Sequence, residues 1–150
     1  MATAKWYGQA LTGQYSATAA RRVNWTGDTI NVSLHTSTYA PNQDTHVFFS
    51  DVTNEITGTG YTAGGQALAG KSVSYDATTN ETRLLATTAS QWTNASFTAR
   101  YAVIYSAAGG TAATNPLLGW VDFGADETVA TGTFSITWDT TNGVLKLAAA

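Results

Sequence analysis

Phe97-Thr98-Ala99-Arg100-Tyr101-Ala102-Val103-Ile104-Tyr105 decides the fold class of this chain. Its β-branched and aromatic content fits a pleated, half-buried surface. Side chains alternate across a strand, so Phe97, Ala99, Tyr101, Val103 and Tyr105 are expected on one face. Thr98, Arg100, Ala102 and Ile104 then share the other. That second face carries a charge near its start and turns apolar at Ile104, which predicts cover on both sides at the far end. Edge strands are usually guarded by Lys, Pro or a bulge, and this run carries neither residue. It reads as a central strand.

Working back from it, Gln91-Trp92-Thr93-Asn94-Ala95 is expected to be a turn that feeds the strand. Before that turn, residues 66–75 and 81–87 flank Asp76-Ala77-Thr78-Thr79-Asn80, a hairpin signature, with an irregularity expected at Gly70. Asp28 to His35 alternates with Ile30, Val32 and Leu34 inward. Between these strands, Pro41 sets a turn and Asp44 is placed to cap a short helix over 45–52, with Val47, Phe48 and Val52 at helical spacing. Gly58-Thr59-Gly60-Tyr61 is a glycine-dependent loop.

Forward of the central strand, residues 106–115 form a surface loop of small side chains. Leu117 to Phe123 is a strand, 124–132 an acidic loop, and Thr133 to Trp138 a further strand. Asn142-Gly143 closes a last hairpin onto Val144-Leu145-Lys146-Leu147. Seven or eight short strands at this spacing predict an all-β chain: an antiparallel β-sandwich, jelly-roll-like, with one short helix. Residues 28–150 are expected to be a single sandwich domain. Residues 1–27 lack the alternation and are read as an N-terminal arm or strap.

Composition narrows the function. A chain of 150 residues is most simply one domain. Only 11% of residues are charged, and Thr, Ala and Gly fill the deficit. The net charge is −3 and no basic cluster exceeds Arg21-Arg22, so no nucleic-acid footprint is present. Weak charge gives little colloidal repulsion, which suits a protein living in an assembly. With no cysteine, disulfides and thiolate metal sites are excluded. No apolar run approaches a membrane span, and the first residues carry no signal-peptide core, so a soluble protein made in a cytoplasm is expected.

The search for chemistry is short. His35 and His46 belong to no metal-ligating or catalytic pattern, and each reads as a surface or satisfied core histidine. No nucleophile elbow exists, and the glycines at 58–65 are followed by no phosphate-binding Lys. Asp122, Asp126 and Glu127, with Asp139, form the densest acidic group, but nothing matches a calcium-loop spacing. Trp25, Trp92, Trp120 and Trp138 occupy positions that read as core. No catalytic residue, cofactor or metal site is assigned.

Tyr39-Ala40-Pro41-Asn42-Gln43-Asp44-Thr45-His46, Asp51-Val52-Thr53-Asn54-Glu55 and Gly58-Thr59-Gly60-Tyr61 resemble a family of small tailed-bacteriophage virion proteins. So do Arg100 to Tyr105, Pro116-Leu117-Leu118-Gly119 and Asp122-Phe123-Gly124, so the resemblance spans about residues 5–147. The resemblance implies a structural protein without catalytic residues, and a head decoration (cement) role is expected. The implied partner is the major capsid protein, with a homotrimer the natural assembly at capsid three-fold sites. The alternative is a tail or fibre component, including a host-surface binding module, which would gather exposed aromatic and polar groups on loops 58–66 or 106–115. Contact with capsid or neighbouring subunits is assigned to Trp6, Tyr7, Leu11, Tyr15, Arg21 and Arg22, a mix enriched at interface cores. The competing account is that these aromatics cap one end of the chain's own sandwich.

Overall fold

The computed structural model describes residues 1–149. Its strands are β1 (Lys5–Trp6), β2 (Ile30–His35), β3 (Gln66–Ala67), β4 (Lys71–Asp76), β5 (Glu81–Ala86), β6 (Ser90–Ser106), β7 (Leu117–Ile136) and β8 (Leu145–Ala148). One α-helix, α1, covers Gly8–Gln14. The strands form two antiparallel sheets, one in the order β1-β7-β6-β2-β3 and the other β4-β5-β8. The all-β sandwich expected from the alternation is what the chain adopts.

Strand β6 is central in the larger sheet, between β7 and β2. From Ala102 to Ser106 every residue is buried, so both faces are covered at that end. One face meets the smaller sheet through Ile30, Val32, Leu34, Ile104, Ile136, Trp138 and Leu145. The other carries a second apolar cluster of Tyr7, Tyr39, Val103, Tyr105, Leu117 and Trp120. The four tryptophans read as core, Trp25, Trp92, Trp120 and Trp138, are all buried.

The simple alternation along 97–105 needs correction. Phe97 and Ala99 belong to the same cluster as Ala102 and Ile104, whereas Val103 and Tyr105 pack on the opposite face with Tyr101 beside them. A register shift between Ala99 and Tyr101 is the cause. Across it β7 carries three residues more than β6, and along β6 Ala99 and Ala102 share one cluster, so the alternation slips by one at Arg100.

Two expected interruptions are also irregularities inside continuous strands. Residues 91–95 lie within β6, where Trp92 pairs with Phe134 and Asn94 adopts φ 51°. Asn tolerates the left-handed region, so the signal that reads as a turn serves here as a bulge. Residues 124–132 lie within β7: Glu127, Thr128 and Val129 pair with Ala99, Thr98 and Phe97. The loop shrinks to the four residues between Asp122 and Glu127, where Gly124 has φ 85°. At Gly70, by contrast, the expected irregularity is a true break: β3 ends in one sheet and β4 starts in the other.

The helix is not at 45–52. That stretch holds only a 3-10 turn at Phe49–Asp51. Its side chains take the amides a helix would need: Asn42 Oδ1 accepts from Asp44 and Thr45 N–H, and Asp51 Oδ2 accepts from Val47 and Phe48 N–H at 2.8 and 3.0 Å. Further amides bond across to the 112–117 segment, as Phe49 N–H does to the Asn115 carbonyl. Helix α1 instead forms at 8–14 despite two glycines that disfavour an isolated helix. Tertiary contacts hold it, with Gly8 N–H donating to the Gln43 carbonyl and Gly13 packed against Arg21.

Candidate functional site

The N-terminal segment is laid along the body. Strand β1 pairs with β7, Lys5 opposite Trp120 and Trp6 opposite Gly119. This close approach requires Gly119, since a Cβ there would come within 2.4 Å of the Lys5 carbonyl oxygen. The Trp6 indole donates to the Lys146 carbonyl at 2.7 Å and so covers the outer edge of β8. Upstream, Ala4 N–H donates to the Val144 carbonyl and Ala2 N–H to that of Thr137. The segment is an ordered strap here.

Its six candidate contact residues divide three ways. Trp6, Leu11 and Tyr15 come together with Val23, Leu84 and Leu147 to line an apolar groove of about 200 Å³ between α1 and the smaller sheet. Tyr15 stands at this groove with 82% of its surface exposed, and Leu147 is also exposed. Arg21 and Arg22 are turned back on their own segment. Arg21 donates to the Gln9 carbonyl at 2.6 Å, and Arg22 to the Ser16 carbonyl at 2.8 Å. They fix the end of the strap, the chain's own carbonyls taking the guanidinium donors.

Tyr7 lies apart from both groups and is fully buried, so its ring is not available to a partner. It packs on Trp120, ring centres 4.7 Å apart, and its hydroxyl meets that of Tyr39 at 2.6 Å. Tyr39 in turn reaches His46 Nδ1 at 3.0 Å. Burial and the neighbouring Tyr39 hold the Tyr7 phenol protonated, far above its ordinary range. Burial also pushes Tyr39 up to about 12.

Side chains of residues 35–61 complete this interior. Tyr39 contacts His35, His46 and Tyr101. His35 is fully buried, its Nδ1–H donating to the Thr53 carbonyl at 2.9 Å and its Nε2 accepting from Ser33 Oγ at 2.8 Å. Removal from water lowers it to about 4, so it is neutral. Glu55 Oε1 accepts from the Tyr61 hydroxyl at 2.5 Å and from Gly64 N–H at 2.6 Å, which ties down the glycine loop. His35 is thus a satisfied core histidine, and His46 is half-buried against Tyr39.

The acidic residues are dispersed. Asp122 binds Arg100 and Gly124 N–H, Asp126 accepts from Ser37, and Asp139 accepts the turn amides of Thr141 and Asn142. Among the described residues no three His, Asp or Glu side chains gather in a way that would hold a metal ion. Nor does any described helix have the length and apolarity to cross a membrane.

The sequence singled out Trp6, Leu11 and Tyr15 but missed the other wall of their groove. Leu84 and Leu147 stand on β5 and β8, and it is the placing of α1 beside these strands that makes the cleft. No protein family model, curated protein or solved structure matches this chain.

Proposed function

We propose that this chain is a decoration (cement) protein of a tailed-bacteriophage head, bound to the major capsid protein where capsid subunits meet. The resemblance carried by residues 39–46, 51–55, 58–61, 100–105, 116–119 and 122–124 supports the reading. The single observation that carries it is the groove under α1. An exposed Tyr15 and a half-buried Trp6 are held there on rigid elements, beside the exposed Leu147. Anchors of this type dominate protein interfaces when pre-positioned.

Repeated attachment around a capsid symmetry axis turns a modest single contact into firm retention. A homotrimer at a three-fold position belongs to the same proposal. The tail or fibre alternative called for aromatic groups converging on loops 58–66 or 106–115. Tyr61 turns inward, accepting from Leu34 N–H at 3.0 Å, and 106–115 contains no aromatic residue. The head reading is therefore preferred.

Co-sedimentation of the purified chain with emptied, expanded capsids tests it. Tyr15→Ala removes an exposed ring, so the fold should persist while capsid binding weakens roughly thirtyfold, the equivalent of about 2 kcal/mol. Undiminished binding would remove the groove from the account.

A further inference from the structure

The smaller sheet has two edges, and the chain treats them differently. The outer edge of β8 is closed by Trp6, which caps the Lys146 carbonyl. Among the described residues, the outer edge of β4 has no strand beside it. In the larger sheet the outermost strands β1 and β3 are two residues each. Strand β4 is six residues long, pairs with β5 without a register shift, contains no Pro, and its one lysine, Lys71, is turned onto its own chain, donating to the Asp28 carbonyl. Its four central residues, Ser72 to Tyr75, are exposed. Such an edge is a template for another strand unless it is guarded.

The backbone direction is fixed. Thr87 N–H donates to the Gly70 carbonyl, so residues in step with Gly70 face β5. Lys71, Val73 and Tyr75 therefore turn their N–H and C=O groups outward. These same odd-numbered residues put Val73 and Tyr75 on one face, 51% and 57% exposed. Among the described residues they are two of five exposed large apolar side chains.

We infer that β4 pairs antiparallel with β4 of a second copy about a two-fold axis at Ser74. In that register Val73 of each strand lies opposite Tyr75 of the other, an aromatic to β-branched pair made twice. The outward groups of both residues find mutual partners, which places Ser74 opposite its equivalent in a pair without hydrogen bonds. Lys71 and Asp76 keep their own-chain partners in this arrangement, the Asp28 carbonyl and Arg83, so neither charge stands against the pairing. The edge is complementary to itself, and this is what selects a second copy as the occupant. The contact is two-fold, distinct from any trimer, and independent of head or tail location.

The test uses the absence of native cysteine. Cα atoms in a pair without hydrogen bonds are about 4.5 Å apart, within disulfide reach. Under mild oxidation Ser74→Cys should give a covalent dimer, and Ser72→Cys, which faces Asp76 of the other strand, should not. Sedimentation should show a dimer for the native chain. Val73→Lys, whose site is solvent-exposed, should keep the β-type circular dichroism and weaken self-association about tenfold, since both apolar pairs are lost. A native chain that stays monomeric overturns the inference. So does a Ser74→Cys chain that crosslinks no faster than Ser72→Cys, or an association that Val73→Lys leaves unchanged.

Discussion

Arg100 Nε donates to Asp122 Oδ1 at 2.7 Å across the point where β6 and β7 fall out of register. On β6, Ala99 and Tyr101 are two residues apart, but their partners on β7, Glu127 and Asp122, are five apart. The same carboxylate oxygen accepts from Gly124 N–H at 2.8 Å. One side chain therefore fastens both sides of the irregularity that turns Tyr101, Val103 and Tyr105 toward the second apolar cluster. Hydrogen bonds from Arg100 and Gly124 hold the Asp122 carboxyl below the usual carboxylate range. Asp122→Ala is expected to speed amide hydrogen exchange at Gly124 and through residues 123–126 more than Arg100→Met does. The Gly124 contact survives only in the second variant.

His35 makes stability depend on pH. Its unfolded value is near 6.5 and its folded value about 4, so the unfolded chain binds more protons between these limits. The contribution is fully present above about pH 6.5 and is lost as the pH falls through about 4. It amounts to on the order of 3 kcal/mol across the whole window. Urea denaturation between those pH values should show this loss in the native chain and a much flatter profile in His35→Gln, which will be less stable throughout.

The strap should prove integral to stability. Tyr7→Ala removes a fully buried ring from against Trp120 and should cost about 3–5 kcal/mol. Tyr7→Phe loses only the hydrogen bond to Tyr39 and should cost about 1 kcal/mol. Removal of residues 1–22 uncovers Leu117, Trp120 and the β8 edge, so cooperative melting should fail. Tyr15→Ala, in the same segment, should shift stability by no more than about 0.5 kcal/mol.

Gly65 is expected to tolerate no side chain. Its φ is +73°, and a Cβ there would lie 1.8 Å from the Val32 carbonyl oxygen. Gly65→Ala should destabilise the chain by at least about 2 kcal/mol in denaturant titration. Gly110, also at positive φ but with open space around it, should lose less on the same change.

How much of this was legible follows a physical line. The inward set Ile30, Val32 and Leu34, the hairpin around Asp76–Asn80 and the irregularity at Gly70 are local signals, and the structure keeps them; the other face of 30–35 is not wet, since Ser33 and His35 are also buried. The face swap at Arg100 was not legible, because a bulge leaves composition and propensity unchanged. Asn94 and Gly124 announced positive φ but not whether the chain would turn or merely kink. At 45–52, apolar spacing favoured a helix, yet Asn42 and Asp51 captured the amides and 112–117 supplied the remaining partners. Tyr7 reads as a contact residue beside Trp6 because both are aromatics of the kind enriched at interfaces, and composition does not say which way each points. In the sheet they point to opposite sides, one to the groove and one to the core.

The central claim is location on the head. Gold-labelled antibody against this chain, applied to intact phage particles and imaged by electron microscopy, tests it most directly. The account predicts label distributed over the whole head surface in many copies per particle. Label confined to the tail or its fibres, with bare heads, would contradict it.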